Sequence, residues 1–259
     1  MRLTIRRNWI AYATIARKEI RRFMRIWTQT LVPPVITTTL YFLIFGQLIG
    51  RRIGQMDGFQ YTDYIMPGLI LMTVITNAYA NVSSSFYSTK FQRHIEEMLV
   101  APIPGWIILA GYLTGGVVRG FLTACIVTAV AFFFTSVPME HPLLTMLVVF
   151  MTALVFSSAG FVNAVFARTF DDVSIVPTFI LTPLTYLGGV FYSVSLLGEP
   201  WQALSFANPI LYMVNAFRFS VLGVADIAIE VSMTVLLVFI TGFLWLSAWL
   251  LRRGTGIKQ

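Results

Sequence analysis

Six stretches of this chain run without a charged side chain for about the length needed to cross a bilayer. They are residues 26–50, 64–89, 120–139, 141–167, 173–198 and 231–251. A helix needs about 20 apolar residues to traverse the hydrocarbon layer. No water is present there to satisfy a backbone amide, so an open chain can span only as helix. Strands of a membrane barrel would alternate polar and apolar residues over about ten positions, and these runs do not. The third run extends back past Arg119 to about Trp106, because Pro102 and Pro104 stop anything earlier. The spacing therefore predicts an all-α integral membrane protein, a single unit over 1–259, with spans at about 27–49, 64–88, 106–134, 142–166, 174–197 and 231–251.

Composition agrees. Hydrophobic residues make up 57% of the 259 positions and charged ones 11%. A water-facing surface needs roughly a quarter to a third of its positions charged. The shortage excludes a soluble enzyme, a disordered regulator and a nucleic-acid-binding domain, despite a net charge of +7. One cysteine, Cys125, allows no internal disulfide and reads as a packing residue. The segment at about 200–217 carries no charge but holds Gln202, Ser205, Asn208, Pro209 and Asn215. It is too polar and broken for a lipid-facing span, and two short half-helices re-entering from one side fit it better.

Lysines and arginines set the orientation. Fourteen fall on one side of a six-span arrangement: eight in residues 1–25, then Lys90, Arg93, Arg168, Arg252, Arg253 and Lys258. Three (Arg51, Arg52 and Arg218) fall on the other, and Arg119 lies within a span. That asymmetry places both termini in the cytoplasm. The first apolar run is too long for a signal-peptide core, so no cleavable leader is expected.

Ahead of the first span, Ile5, Trp9, Tyr12, Ala16, Ile20, Phe23 and Trp27 recur every three or four residues. They form one helical stripe. Arg17, Lys18, Arg21, Arg22 and Arg25 fall opposite. An apolar face toward lipid and cations toward anionic headgroups predict an interfacial amphipathic helix over about 5–25. A second amphipathic stretch follows span two. Phe91, Ile95, Met98 and Leu99 share one face and Gln92, Arg93, Glu96 and Glu97 the other, with prolines stopping it. It reads as a docking element, or else as an ordinary interfacial turn.

Chemistry is conspicuous by what is missing from the residues. No Gly-x-x-x-x-Gly-Lys-Ser/Thr phosphate loop occurs, so this chain has no nucleotide site of that kind. No catalytic, metal or cofactor set is legible, and His94-Ile-Glu96 is a lone pair of possible ligands. Proton-coupled carriers usually place Asp, Glu or His inside the bilayer, and the spans hold only Arg119. Thr73, Asn77, Asn81 and Ser84 recur at helical spacing as one polar stripe of span two, which lines a pathway or bonds a neighbouring helix. Arg119 either meets an anionic headgroup or bonds backbone carbonyls. With Thr182 and Tyr186 of span five, Thr73, Asn77, Asn81 and Arg119 make up the candidate lining. Gly111-x-x-x-Gly115 and Gly116-x-x-x-Gly120 permit close helix contact in span three.

Taken in order, Ala167-Arg-Thr-Phe-Asp-Asp172, Pro183-Leu-Thr-Tyr-Leu-Gly-Gly-Val-Phe191, Pro200-Trp201, Asn208-Pro-Ile-Leu-Tyr212 and Arg218 resemble ABC type-2 export permeases. So do Val32-Pro-Pro34, Phe91-Gln-Arg93, Glu96-Glu97 and Ala101-Pro102. The resemblance implies a bacterial inner-membrane permease that pairs as a homodimer of twelve spans and seats two copies of a separate ATPase subunit. ATP and Mg would be bound by that partner, with none in this chain and no nucleic acid involved. Residues 91–101 would be the coupling helix, with Phe91, Arg93, Ile95, Glu96, Glu97 and Leu99 contacting the ATPase. The entry helix would brace against ATPase and membrane lipid, and residues 200–217 would shape an outer gate. A secondary transporter or channel, and a membrane enzyme acting on lipid-linked substrates, are the rival readings. The first lacks intramembrane carboxylates and the second a convergent acid–base cluster.

Overall fold

The computed structural model describes residues 2–136, 139–254 and 256. Lys258, counted in the basic tail, lies outside them. Among the described residues ten helices follow one another, besides a short 3-10 turn at Val194–Leu196: α1 (Arg2–Arg25), α2 (Trp27–Ile53), α3 (Tyr61–Phe91), α4 (His94–Val100), α5 (Gly105–Ala131), α6 (Pro142–Phe166), α7 (170–186), α8 (Glu199–Phe206), α9 (Pro209–Leu222) and α10 (Ile229–Arg253). Two-residue strands, Gln55–Met56 and Phe59–Gln60, pair antiparallel at the tip between α2 and α3.

Five of these helices, α2, α3, α5, α6 and α10, are long and apolar enough to cross a membrane. The centre of the fold is α3. In its most apolar stretch 83% of residues are buried, against 17% in α2, which packs at the periphery. The long helices approach closely because small residues sit where they cross. A Cβ added to Gly160 of α6 would lie 2.5 Å from the Tyr79 carbonyl oxygen of α3. One added to Gly116 of α5 would run into Ser157 Oγ of α6. With so little hydrophobic drive between helices inside lipid, such contact supplies the dispersion energy that holds them.

The helices are interrupted in three places, and the second departs from the sequence pattern. The first is beside Pro33 and Pro34 in α2. The helix breaks at Leu31, and both prolines sit in the first turn of the next segment, Val32–Tyr41, where a missing N–H has no partner to lose. The irregularity comes later, as a π-helical run over Phe42–Ile49. Secondly, span five is not a helix over 174–197. Helix α7 covers 170–186, with a π-helical run at Pro177–Leu181, and gives way to a turn around Gly188 and Gly189 (φ 71°). Pro177 has no N–H to offer the Val173 carbonyl, and Asn163 Nδ2 of α6 donates to that oxygen at 3.1 Å. Thirdly, the segment predicted at 200–217 is two helices, α8 and α9, hinged at Asn208.

Asn208 joins three pieces of chain. Its Nδ2 donates to the Leu184 carbonyl at 2.6 Å, an acceptor left over at the end of α7. Its Oδ1 accepts from the Ile210 amide at 3.0 Å and so caps α9. Ser193 Oγ donates to Asp226 Oδ1 at 2.9 Å, and Arg218 Nη1 lies 3.5 Å from Asp226 Oδ2. The chain before α8 and the chain after α9 thus meet at one end of the molecule, while the hinge between them lies deeper, beside Leu184.

The ends differ in charge. Lys90, Arg93, Arg168, Arg252 and Arg253 gather at one, called the basic end, around a core of Phe86, Ile95, Ile108, Phe161 and Leu251. Arg51, Arg52 and Arg218 belong to the other. Arg218 is no loop cation there. It is 1% exposed, donates through Nη2 to the Gly189 carbonyl at 2.5 Å, and stacks on the Tyr64 ring with Cζ 4.1 Å from the centroid.

Candidate functional site

At the basic end the link from α3 to α5 is built around a reversal. Arg93 adopts a left-handed conformation (φ 61°), which ends the α3 helix and starts α4 in a new direction. Phe91 therefore does not share a helical face with Ile95, contrary to the periodicity. Ile95 is 1% exposed and packs into the protein's own core, with Met98 and Leu99 half-buried beside it. Ile95 is unavailable to a partner, and Leu99 largely so. The reason is that an amphipathic helix of seven residues must bury its apolar face somewhere, and Ile95 buries it in the cluster of Phe86, Ile108 and Leu251. Phe91, Gln92, Arg93, Glu96, Glu97 and Val100 remain exposed, Phe91 to 63% and Val100 to 87%.

Beside Phe91 the turn from α6 to α7 adds a second exposed ring. Phe170 lies 5.2 Å from Phe91 and 4.8 Å from Tyr87, centroid to centroid. The start of α7 is fixed by a reciprocal cap in which Thr169 Oγ1 accepts from the Asp172 amide at 3.1 Å. The Arg168 and Thr169 amides in turn donate to Asp172 Oδ2 at 2.8 and 3.0 Å. These amides hold the Asp172 carboxyl below the usual carboxylate range, since they favour its charged form. A depressed folded pKa gives a contribution that is full above the unfolded value, about 4. It is lost as pH falls further, through the folded value. Amide exchange at Asp172 is therefore expected to accelerate relative to its intrinsic rate as pH drops below about 4, and Asp172→Asn to remove that pH dependence. An unchanged profile in the variant would contradict the assignment.

The entry helix α1 does not lie free of the bundle. It crosses α5 over the Gly111-x-x-x-Gly115 face, where an added Cβ would meet Ile15 Cγ2 at 2.5 Å and Glu19 Cβ at 2.6 Å. Ala16 is buried in the same contact and Phe23 is buried further along α1, whereas Ile5 and Trp9 are exposed. Arg17, Lys18, Arg21 and Arg25 are exposed; Arg22 is half-buried and turns inward. Its Nη2 donates to the carbonyl and to Oδ1 of Asn81, each at 2.9 Å, and its Nε is 3.4 Å from Glu19 Oε2. Glu19 is 0% exposed, with Lys18 Nζ at 3.9 Å as its other cation. No reading of the spans could find this carboxylate, although the signal was present. Glu19 stands three residues after Ala16 and four before Phe23, inside the apolar stripe.

Above this network the polar stripe of α3 meets α2 and α5 around a cavity of about 340 Å³. Thr73, Asn77 and Arg119 line it, together with Thr37, Thr38 and Tyr41. Arg119 Nη2 donates to Asn77 Oδ1 at 2.9 Å and lies 3.5 Å from the Thr30 carbonyl. Asn77 Nδ2 donates back to the Thr73 carbonyl at 3.0 Å. Tyr41 OH is 3.0 Å from Tyr186 OH, which places Tyr186 at the rim among Phe45 and Phe191. Two candidates fall elsewhere. Asn81 sits one turn below with Arg22, and Thr182 is exposed on α7 with its hydroxyl on the Pro177 carbonyl.

Comparison with known proteins follows the same order of elements. A family model described as ABC-2 type transporter matches residues 11–222, from within α1 to the end of α9. The inner membrane transport permease YadH of Escherichia coli K12 is 57% identical over 252 residues, covering 97% of this chain and 98% of that protein. Nodulation protein J of Rhizobium leguminosarum bv. viciae is 26% identical over 251 residues, covering 96% and 92% respectively.

Proposed function

The chain belongs to the ABC-2 type transporter family of membrane permeases, and from that premise we propose that it is the transmembrane subunit of an ATP-binding-cassette exporter. It moves a substrate outward across the bacterial inner membrane with energy from ATP hydrolysed by a separate ATPase subunit. In this reading the basic end faces the cytoplasm, both termini with it. Two permease chains form a homodimer and seat two ATPase copies. The α7–α9 region completes the sixth crossing and the re-entrant outer gate, and α1 rests at the membrane surface with its cations toward lipid headgroups.

One observation carries the proposal. The α3–α5 link holds itself in place through Ile95 and turns Phe91, Arg93, Glu96 and Glu97 outward from the basic end. A helix anchored on one side by its own core and charged on the other can pass a rigid displacement to α3 and α5. The sequence contains no phosphate loop, so the work must come from a partner. Affinity purification of the tagged chain from its native membrane should retain an ATPase in equal amount, and reconstituted transport should require ATP. Recovery of the chain without any ATPase, from membranes where it is active, would overturn the reading.

A further inference from the structure

We infer that the cavity between α2, α3 and α5 binds the anionic oxygen group of an amphipathic molecule, with Arg119 as its recognition residue. The inference rests on the permease reading only in calling that molecule a transported substrate.

Arg119 is a guanidinium set among spanning helices, where a cation is costly unless paired. Its pairing is incomplete. Both of its bonds come from Nη2 and go to uncharged oxygens, the 3.5 Å contact with Thr30 being a weak one. Its Nε is buried without a partner among the described residues. No carboxylate lines the cavity among those residues. Glu19, the one acid nearby, is already flanked by Arg22 and Lys18. Two arginines and a lysine against one carboxylate leave excess positive charge beside a space of about 340 Å³, within the range that holds small ligands. A planar guanidinium matches carboxylate or phosphate oxygens, and the Thr37 hydroxyl and the second Nδ2 hydrogen of Asn77 offer further donors around it. Another part of the lining is of a different kind. Tyr41 leads from the cavity to Tyr186, Phe45 and Phe191, an aromatic rim beside it that is suited to an apolar or ring-bearing portion. A charged floor and an aromatic rim call for an amphiphile.

The test uses the full chain purified in a neutral maltoside detergent, without the ATPase. Thermal unfolding is followed while dodecyl phosphate, dodecanol or inorganic phosphate is added. Dodecyl phosphate should stabilise the wild type, and the concentration needed should rise on the order of tenfold or more in Arg119→Gln. Asn77→Asp keeps the shape and supplies a carboxylate to the guanidinium, at the cost of the Nδ2 bond to the Thr73 carbonyl, so it should weaken the response as much. That variant decides the matter if Arg119→Gln does not fold. Equal responses of the variants and the wild type would overturn the site. A wild-type response to inorganic phosphate or dodecanol as strong as to dodecyl phosphate would overturn the amphiphile. Either failure leaves ATPase co-purification, on which the permease reading depends, untouched.

Discussion

Reversing the charges of Glu96 and Glu97 to arginine should abolish transport and release the ATPase while the helices stay folded and inserted. Both side chains are exposed at the basic end, and the α4 helix is held by Ile95, not by them. The internal cost is small. Acidic residues in a helix's first turn contribute about 0.3–1 kcal/mol each through the macrodipole, less than the roughly 1.5–3 kcal/mol of a buried isoleucine. The cost at a docked interface is larger, because like charges brought together there amount to several kcal/mol, on the order of a hundredfold or more in affinity. The measurement is co-purification of the ATPase, with melting temperature and monodispersity of the permease as controls. Wild-type association and transport in the double variant would reject the α4 surface as the coupling contact. Ile95→Asp is the contrasting change, expected to loosen α4 and lower the melting temperature even with no ATPase present.

Replacing Gly160 by leucine is expected to prevent the bundle from assembling. The first added carbon already falls 2.5 Å from the Tyr79 carbonyl oxygen and 3.2 Å from its carbon. Backbone cannot swing aside as a side chain can, so α6 would have to move away from α3 along the most extensive helix–helix contact among the described residues. Overpacking a close-packed core commonly costs about 1–3 kcal/mol, and a branched side chain against an unyielding helix should exceed that. Total stabilities run only about 5–15 kcal/mol, so loss of folded protein is the expected readout. Gly242 of α10 is the matched control, with nothing within 4 Å of its added carbon. Gly242→Ala should be neutral or slightly stabilising, by up to about 1 kcal/mol. Equal yields and melting temperatures for Gly160→Leu and Gly242→Ala would show that the α3–α6 contact is looser than described.

The amino-acid pattern by itself determined the class of this protein. Uncharged runs of bilayer length leave helix as the only spanning option, because each backbone amide must be satisfied within its own segment. That constraint is local, and α6 and α10 follow from it almost to the residue. The order of short motifs carried the family, and Gly-x-x-x-Gly spacing marked where helices could come close. Tertiary structure decided which groups those faces meet. Periodicity assigns a residue to a face but cannot tell protein from partner, so Ile95, expected to contact the ATPase, is instead an anchor in the chain's own core. It cannot see that Arg22 reaches Asn81, 59 residues away, or that Arg119 reaches Asn77, 42 away. Nor can it see that Arg218, a loop cation by charge count, is held by Gly189, Asp226 and Tyr64. Span five reads as one apolar run, yet a glycine pair ends its helix early, and the carbonyls left free by Pro177 and by that ending go to Asn163 and Asn208 on other helices. Apolar burial is summed along the chain and shows in composition, whereas a buried charge or an orphaned carbonyl is settled by one partner that only the folded chain brings within reach.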